Sequence, residues 1–158
     1  MNALVLYDSQ YGDTEHIAQA IANALGEFGE ARAVGLDPGQ GTELEGMSMF
    51  IVGCPTQGWK PTPTIQSFLE ELSSEELRSL AVACFDTRFR LPRLMTGSAA
   101  RVIARTLQEK GVSLLVEPES FFVKGTQGPL RDGELDRAAA WARMLIKEVQ
   151  FPSPEARQ

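Results

Sequence analysis

Residues 3–14 read ALVLYDSQYGDT, and this segment decides the fold. Its first five residues are apolar, too few for a helix and rich in β-forming side chains, so they predict a strand. From Thr14 to Phe28 the apolar residues recur at helical spacing, which predicts a helix. The turn from Ser9 to Thr14 therefore lies where a strand ends and a helix begins.

This turn suits a phosphate group. At a junction of this kind a phosphate meets unpaired backbone N–H groups and the positive end of the helix dipole. Ser9 and Thr14 add hydroxyl donors, and Gly12 allows close approach of the backbone. The lysine of a Walker loop and the glycine pattern of a dinucleotide turn are both absent. The turn therefore predicts a phosphate monoester rather than a nucleoside triphosphate.

Strand-like and helix-like segments alternate along the rest of the chain. The strand-like segments are almost wholly apolar, which indicates that helices cover both faces of the sheet. Together they predict an α/β fold with a doubly wound, five-stranded parallel sheet. Gly111 is expected to end one helix as a C′ glycine, and Asp132 is expected to N-cap the last helix. The predicted strands are residues 3–7, 31–35, 49–53, 80–85 and 112–123, and the predicted helices are residues 14–28, 64–72, 97–110 and 133–149.

Composition narrows the possible functions. A chain of 158 residues with 43% hydrophobic residues fits a single domain over residues 1–150, followed by a flexible tail over residues 151–158. The net charge of -6 gives no electrostatic reason to expect a nucleic-acid partner. No apolar run reaches the roughly 20 residues of a membrane span, and no signal segment precedes the first strand. We expect a cytoplasmic protein in which Cys54 and Cys84 are buried thiols.

Several chemistries lack their residues. His16 is the single histidine and the two cysteines are far apart in sequence, so neither a zinc site nor a Cys–His nucleophilic pair has its components. A receiver domain would need paired acidic residues after the first strand, where Asp8 stands alone. No residue qualifies as a general acid or base, and Trp141 is predicted to lie in the core.

Three predicted loops leave the carboxyl ends of strands, where ligands of open parallel sheets bind. The first is the phosphate turn. The second, residues 54–64, pairs a proline with Gly58 and then offers Trp59, which has no apolar run to join. Such a loop can bind the edge of a flat ring by hydrogen bonds and its face by stacking. The third, residues 86–96, adds Phe89 and three arginines, and together the loops predict a mononucleotide with a planar head group.

These segments resemble the flavodoxin family of FMN-binding domains, and the resemblance extends from Ala3 to about Val149. Residues 3–15 resemble the family's Ser/Thr-x-Thr/Ser-Gly-x-Thr phosphate turn, with Tyr11 where a hydroxyl residue is common. GCPT at 53–56 resembles the start of its isoalloxazine loop, and VACF at 82–85 resembles the strand before its third loop. The resemblance implies a three-layer α/β/α sandwich with sheet order 2-1-3-4-5 and FMN as the cofactor.

The second and third loops differ from those of small carrier flavodoxins. PTQGWKPTP at 55–63 is closer to the loop of flavodiiron-type and related flavodoxin domains. The third loop reads DTRFR at 86–90, where carriers commonly have Gly-x-Gly-Asp with an aromatic residue and acidic neighbours. Phe89 is the candidate to replace their ring-stacking tyrosine. Cations beside a flavin favour its anionic reduced form, so we expect a weaker reductant than an acidic carrier.

The resemblance implies a division of the cofactor site among the three loops. A backbone amide near Gly58 is the expected partner of the flavin's redox-active nitrogen. Residues 125–130, GTQGPL, are expected near the far side of the sheet and carry no assigned role. The implied phosphate ligands are Ser9, Gln10, Tyr11, Gly12, Asp13 and Thr14; the implied ring contacts are Pro55, Thr56, Gln57, Gly58 and Trp59; and the implied contacts at the pyrimidine end are Asp86, Thr87, Arg88 and Phe89.

Electron transfer through non-covalently bound FMN is the function implied by this site, with a reductase or an acceptor protein as redox partner. Two alternatives stay open. One is an FMN-dependent oxidoreductase acting on NAD(P)H and a quinone or on a porphyrinogen-type substrate. The other is a flavin-free binding module that keeps the fold as a scaffold.

Overall fold

A computed structural model describes residues 1–39 and 41–154 of the chain. Five strands and the helices between them occur in the order that the apolar pattern predicts, with two additional short helices. The strands are β1 (Asn2–Tyr7), β2 (Glu30–Gly35), β3 (Met49–Pro55), β4 (Ala81–Phe89) and β5 (Glu119–Val123). The helices are α1 (Asp13–Leu25), α2 (Pro63–Glu71), α3 (Ser74–Arg78), α4 (Arg93–Thr96), α5 (Ala99–Glu109) and α6 (Glu134–Gln150).

The five strands form one parallel sheet of order β2-β1-β3-β4-β5, which confirms the predicted fold. β1 pairs with both β2 and β3, so the direction of winding reverses at β1. Tyr7 at the end of β1 lies opposite Gly53 of β3, and Cys54 lies opposite Asp86 of β4. The carboxyl ends of the central strands therefore meet at one edge, where the phosphate turn leaves β1.

The sheet has a helix layer and a hydrophobic core on each face. Leu4 and Leu6 of β1 point into the core beneath α2 and α5, while Val5 between them points into the core beneath α1 and α6. All three are fully buried, and burying each side chain contributes about 1.5–3 kcal/mol. Trp141 of α6 packs edge-to-face on Phe85 with ring centroids 6.3 Å apart, which confirms its predicted place in the core.

The two cysteines are buried free thiols, as predicted. Burial raises the pKa of the Cys54 thiol to about 12 and also raises the pKa of Cys84. Both thiols are therefore protonated and unreactive at neutral pH. None of the helices in the described part of the chain is long and apolar enough to cross a membrane.

Some predicted boundaries are wrong. The apolar run 112–123 does not form one strand, because β5 begins only at Glu119, directly after Pro118. Before that proline the chain is irregular, although Val112 is buried and the Leu115 N–H donates to the Val82 carbonyl. The apolar residues of this run therefore mark burial rather than extended pairing.

Helix ends also differ in part from the prediction. Gly111 has φ +84° and follows the end of α5, which confirms it as a C′ glycine. Asp132 is not an N-cap, since α6 is preceded by Gly133 with φ +83° and no side chain caps it. The short helices α3 and α4 were not predicted. The last four residues of the predicted tail, 155–158, lie outside the described residues.

Candidate functional site

A cavity of about 330 Å³ opens at the carboxyl edge of the sheet. Its volume falls at the lower end of the range of about 300–1,000 Å³ that is usual for small-molecule sites. All three predicted loops contribute to its wall, together with residues that follow β5. The lining residues are Ser9, Gln10, Tyr11, Asp13, Thr14, Pro55, Thr56, Gln57, Gly58, Trp59, Thr87, Arg88, Phe89, Leu91, Met95, Thr96, Val123 and Thr126.

The first loop presents free backbone donors. Gly12 does not line the cavity but shapes the turn, because its φ of +94° is a left-handed conformation that favours glycine. The Ser9 hydroxyl oxygen accepts the N–H of Gly12 at 3.1 Å, which leaves the hydroxyl proton free for an acceptor in the cavity. Within the described residues, no protein acceptor is present for the N–H groups of Gln10, Tyr11, Asp13 and Thr14.

These donors lie at the start of α1, where the helix dipole is positive. They therefore form a concave group of N–H donors that suits an anion. The Asp13 carboxyl beside them has a raised pKa, chiefly because it is partly desolvated, while His16 lowers that pKa.

The second loop is a tight hairpin. Gln57 and Lys60 exchange two backbone hydrogen bonds, of 2.8 and 3.0 Å. The two residues between them, Gly58 and Trp59, have φ of +53° and +66°, as in a type I′ turn. A bulky residue rarely adopts this conformation, and such strain is concentrated at functional sites. The hairpin keeps Trp59 56% exposed at the cavity while leaving the Gly58 N–H without a protein acceptor in the described chain.

The third loop begins later than predicted. β4 continues to Phe89, so residues 86–89 alternate between the two faces of the sheet. Thr87 faces α1, and its hydroxyl oxygen lies 2.9 Å from that of Thr14. Phe89 at the end of the strand is exposed and lines the cavity, as predicted for the candidate ring contact.

Asp86 was predicted to contact the ligand, but like Gly12 it does not line the cavity, and it is 0% exposed. Its carboxylate Oδ2 accepts the Ser98 hydroxyl at 2.5 Å and the Ala100 N–H at 3.0 Å. Oδ1 has no hydrogen-bond partner in the described structure. Burial raises the pKa of this carboxyl, although the bonds from Ser98 and Ala100 oppose the rise. Asp86 therefore anchors the N-terminus of α5 instead of contacting a ligand.

Arg88 lines the cavity, but its guanidinium holds the third loop together. Nη1 donates to the Leu91 carbonyl at 2.8 Å and to the Thr96 hydroxyl at 3.2 Å, and Nε donates to the Ser120 hydroxyl at 2.9 Å. The guanidinium also lies 5.1 Å from the centroid of the Phe122 ring. Partial burial lowers the pKa of Arg88, but an arginine stays charged in a protein. Arg88 thus fixes the path of residues 89–96.

Hydrogen bonds connect the three loops to one another. The Gln57 side-chain amide donates to Gln10 Oε1 at 2.6 Å, which joins the second loop to the first. The Thr56 N–H donates to the Thr87 carbonyl at 2.9 Å, and its hydroxyl oxygen accepts the Ala99 N–H at 3.0 Å. These bonds join the three loops into one cavity wall.

The cavity is chemically divided. Its first-loop end offers N–H and hydroxyl donors, and its other end offers Trp59, Phe89, Leu91 and Met95. This donor set fits a molecule that carries a phosphate at one end and a flat ring at the other. The family model for flavodoxin matches residues 5–141. This chain belongs to the flavodoxin family. Flavodoxins bind FMN, whose phosphate and planar ring system match the two ends of the cavity.

Solved flavodoxin structures share the fold. Oxidised flavodoxin 1 from Bacillus cereus has a TM-score of 0.77 at 20% identity, over 93% of this chain and 98% of that chain. A flavodoxin from the domain Archaea has a TM-score of 0.76 at 21% identity, over 96% of this chain and 100% of that chain. Rubredoxin oxygen:oxidoreductase from Desulfovibrio gigas has a TM-score of 0.69 at 15% identity, over 94% of this chain but 36% of that chain. A comparison with curated proteins gives no match.

Some residues that line the cavity were not predicted. Leu91, Met95 and Thr96 lie on or next to α4, which is too short for a periodic signal. Residues 125–130 are not remote from the site, because Thr126 lines the cavity. A β-carbon at Gly128 in that segment would lie 2.6 Å from the Asp13 carboxylate. The segment after β5 therefore packs against the first loop.

Proposed function

We propose that this protein is a single flavodoxin-like domain, residues 1–150, that transfers electrons through non-covalently bound FMN. The observation that carries the proposal is the pairing of free N–H donors in the first loop with Trp59 and Phe89 at the other end of one cavity. The redox partner is a reductase or an acceptor protein. The buried free thiols of Cys54 and Cys84 support a cytoplasmic location.

Each loop has one task in this proposal. The first loop holds the phosphate through backbone N–H groups and hydroxyls, and the second supplies the Gly58 N–H to the ring edge and Trp59 to its face. When bound, FMN supplies the one- and two-electron chemistry. The protein orients the ring and excludes water from it. The proposed ligands are Ser9, Gln10, Tyr11, Asp13 and Thr14 for the phosphate, with Gly12 shaping the turn that carries them, Pro55, Thr56, Gln57, Gly58 and Trp59 for the ring, and Thr87, Arg88 and Phe89 for its pyrimidine end.

An FMN titration of the apoprotein tests the proposal. We expect stoichiometric quenching of flavin fluorescence and a shifted visible absorption band. Riboflavin, which lacks the phosphate, is the matched ligand. Two charge-assisted hydrogen bonds, at about 1.5 kcal/mol each or slightly less, correspond to a roughly hundredfold preference for FMN over riboflavin. An unchanged flavin signal at micromolar protein would contradict the proposal.

The rate of flavin reduction distinguishes an electron carrier from an enzyme that oxidises NAD(P)H by itself. If the protein is a carrier, NAD(P)H alone reduces its bound flavin slowly, and a separate reductase reduces it quickly. Rapid NAD(P)H oxidation by the purified, FMN-loaded protein would instead identify a stand-alone oxidoreductase.

A further inference from the structure

Apolar side chains are exposed beside the mouth of the cavity. Leu94 of α4 is 92% exposed, Met95 is 61% exposed and Leu91 is 47% exposed. Leu91 and Met95 also line the cavity, so the exposed surface is continuous with the proposed flavin site. Large apolar side chains grouped on a surface mark an interaction site.

The same segment is strongly basic. Residues 87–101 contain four arginines and no acidic residue, in a chain of net charge -6. Arg88 is used within the loop, whereas Arg90, Arg93 and Arg101 are exposed and form no ion pair within residues 1–39 and 41–154. Arg93 and Arg101 are close enough to Arg88 to lower its pKa, together with its burial. The guanidinium groups of Arg88, Arg93 and Arg101 therefore lie close to one another.

Two carboxylates that interact with Arg88 and Arg90 from outside this segment form their ion pairs elsewhere. Glu119 and Glu134 lie on this side of the sheet, but both are paired with Arg137, at 3.3 and 2.7 Å. Residues 87–101 are thus a basic segment in a molecule whose net charge is negative. We call the surface formed by Arg90, Leu91, Arg93, Leu94 and Arg101 the arginine rim.

We infer that the arginine rim is the docking face for an acidic electron-transfer protein, an inference that rests on the proposed function. The partner presents carboxylates around an apolar patch that lies over its redox centre. Complementary charge steers such a partner to the rim, and Leu91 and Leu94 exclude water from the contact. A small anionic substrate would pair with the arginines but would leave Leu94 exposed.

The dependence of the reaction rate on ionic strength shows whether an acidic partner responds to the arginine rim or to the net charge of the whole molecule. The net charge of -6 alone predicts repulsion of an acidic partner, and its reaction would then become faster as salt is added. A positive docking face predicts the opposite, because salt screens the attraction that brings the partner in. The sign of the salt dependence therefore reports which charge the partner meets.

The experiment uses FMN-loaded protein, reduced with dithionite and mixed with an acidic plastocyanin or with a basic cytochrome c. Each acceptor takes one electron, at Cu(II) to give Cu(I) or at Fe(III) to give Fe(II), so two molecules reoxidise one fully reduced flavin. We expect the plastocyanin rate constant to fall at least tenfold between 10 and 300 mM salt. The cytochrome c rate constant should not fall in this way.

Matched variants locate the effect. Arg90→Gln/Arg93→Gln should lower the low-salt plastocyanin rate about tenfold and flatten its salt dependence. Arg32→Gln/Arg78→Gln removes the same charge from exposed positions on β2 and α3 and should change the rate less than twofold. Leu94→Asn should lower the rate without changing the salt dependence.

Other outcomes would overturn the inference. These are a plastocyanin rate that rises with salt, an equal effect of the β2/α3 control, or a dimer in sedimentation that Arg90→Gln/Arg93→Gln abolishes, which would assign the rim to a second copy of this chain. If FMN does not bind, or neither acceptor reoxidises it, the proposed function fails instead. Fluorescence anisotropy of labelled plastocyanin with the apoprotein then still decides whether the rim docks an acidic protein.

Discussion

The indole of Trp59 lies directly against the α-carbon of Gly97. A β-carbon at position 97 would stand 2.2 Å from Trp59 Cδ1 and 2.5 Å from its α-carbon, and Gly97 has φ +68°. The two residues also form a parallel β-bridge. This contact holds the hairpin of the second loop against the segment that leads into α5. It requires a residue without a side chain at position 97.

Gly97→Ala should therefore displace Trp59. We expect FMN affinity to fall at least tenfold and the free energy of unfolding to fall by about 2 kcal/mol or more, since the added methyl group clashes and the backbone is left-handed. Flavin titration and urea denaturation measure the two effects. Gly111→Ala is the control, because Gly111 is also left-handed but faces open space. Gly111→Ala should lower the free energy of unfolding by about 1 kcal/mol and leave the FMN affinity unchanged. Equal losses of FMN affinity in the two variants would contradict the prediction.

Arg88→Met should loosen the third loop. The variant keeps much of the packing over Phe122 but removes the donors to Leu91, Thr96 and Ser120. Lost hydrogen bonds of this kind cost about 1–3 kcal/mol, which corresponds to roughly tenfold weaker FMN binding or more. Arg90→Met, at an exposed position, serves as the control in the same titration. An affinity unchanged in both variants would show that Arg88 does not position the loop for the cofactor.

Asp86→Asn should change how stability depends on pH. Burial raises the folded-state pKa of this carboxyl above its unfolded value near 3.9. The protonated Asp86 carboxyl therefore contributes fully to the free energy of unfolding below the unfolded-state pKa. This contribution is lost as the pH rises through the folded-state pKa. The difference in free energy of unfolding between Asp86→Asn and the wild type should therefore favour the variant more at pH 7.5 than at pH 4. Urea denaturation at both values checks this, and a difference that does not depend on pH would refute it.

The arginine rim should raise the potential of the bound flavin. A unit charge about 10 Å away in water is worth roughly 0.4 kcal/mol, or about 20 mV for one electron. Arg90→Glu/Arg93→Glu should therefore lower the more negative flavin midpoint potential by several tens of millivolts at low salt. Arg32→Glu/Arg78→Glu, on β2 and α3, should change it little. A wild-type midpoint potential as low as that of acidic carrier flavodoxins would contradict this prediction.

The fold could be predicted because both faces of a parallel sheet are buried. Residues 3–7 and 49–53 are uninterrupted apolar runs for this reason, and the helix after the first run carries a clear period. The three cavity loops followed from the strand ends. The run 112–123 misled because the same apolar composition serves an irregular buried segment, and no local feature of residues 112–117 distinguishes the two.

The site was predicted less well because it depends on strand length and non-local packing. Ending β4 at Phe85 hides the alternation that turns Asp86 towards α5 and Thr87 towards α1. Trp59 gave no sign of its positive φ, which the hairpin around it imposes. Thr126 reaches the cavity only because the segment after β5 packs on the first loop, a contact between residues more than a hundred positions apart in sequence.

The bonds from Thr14 to Thr87 and from Gln57 to Gln10 connect the cavity loops through protein groups. The shape of the site is thus completed when the chain folds, and little conformational entropy remains to be lost when FMN arrives. We therefore expect the cofactor to leave and return while the protein stays folded. The supply of flavin, and not a refolding step, would then set how quickly stored apoprotein becomes FMN-loaded protein.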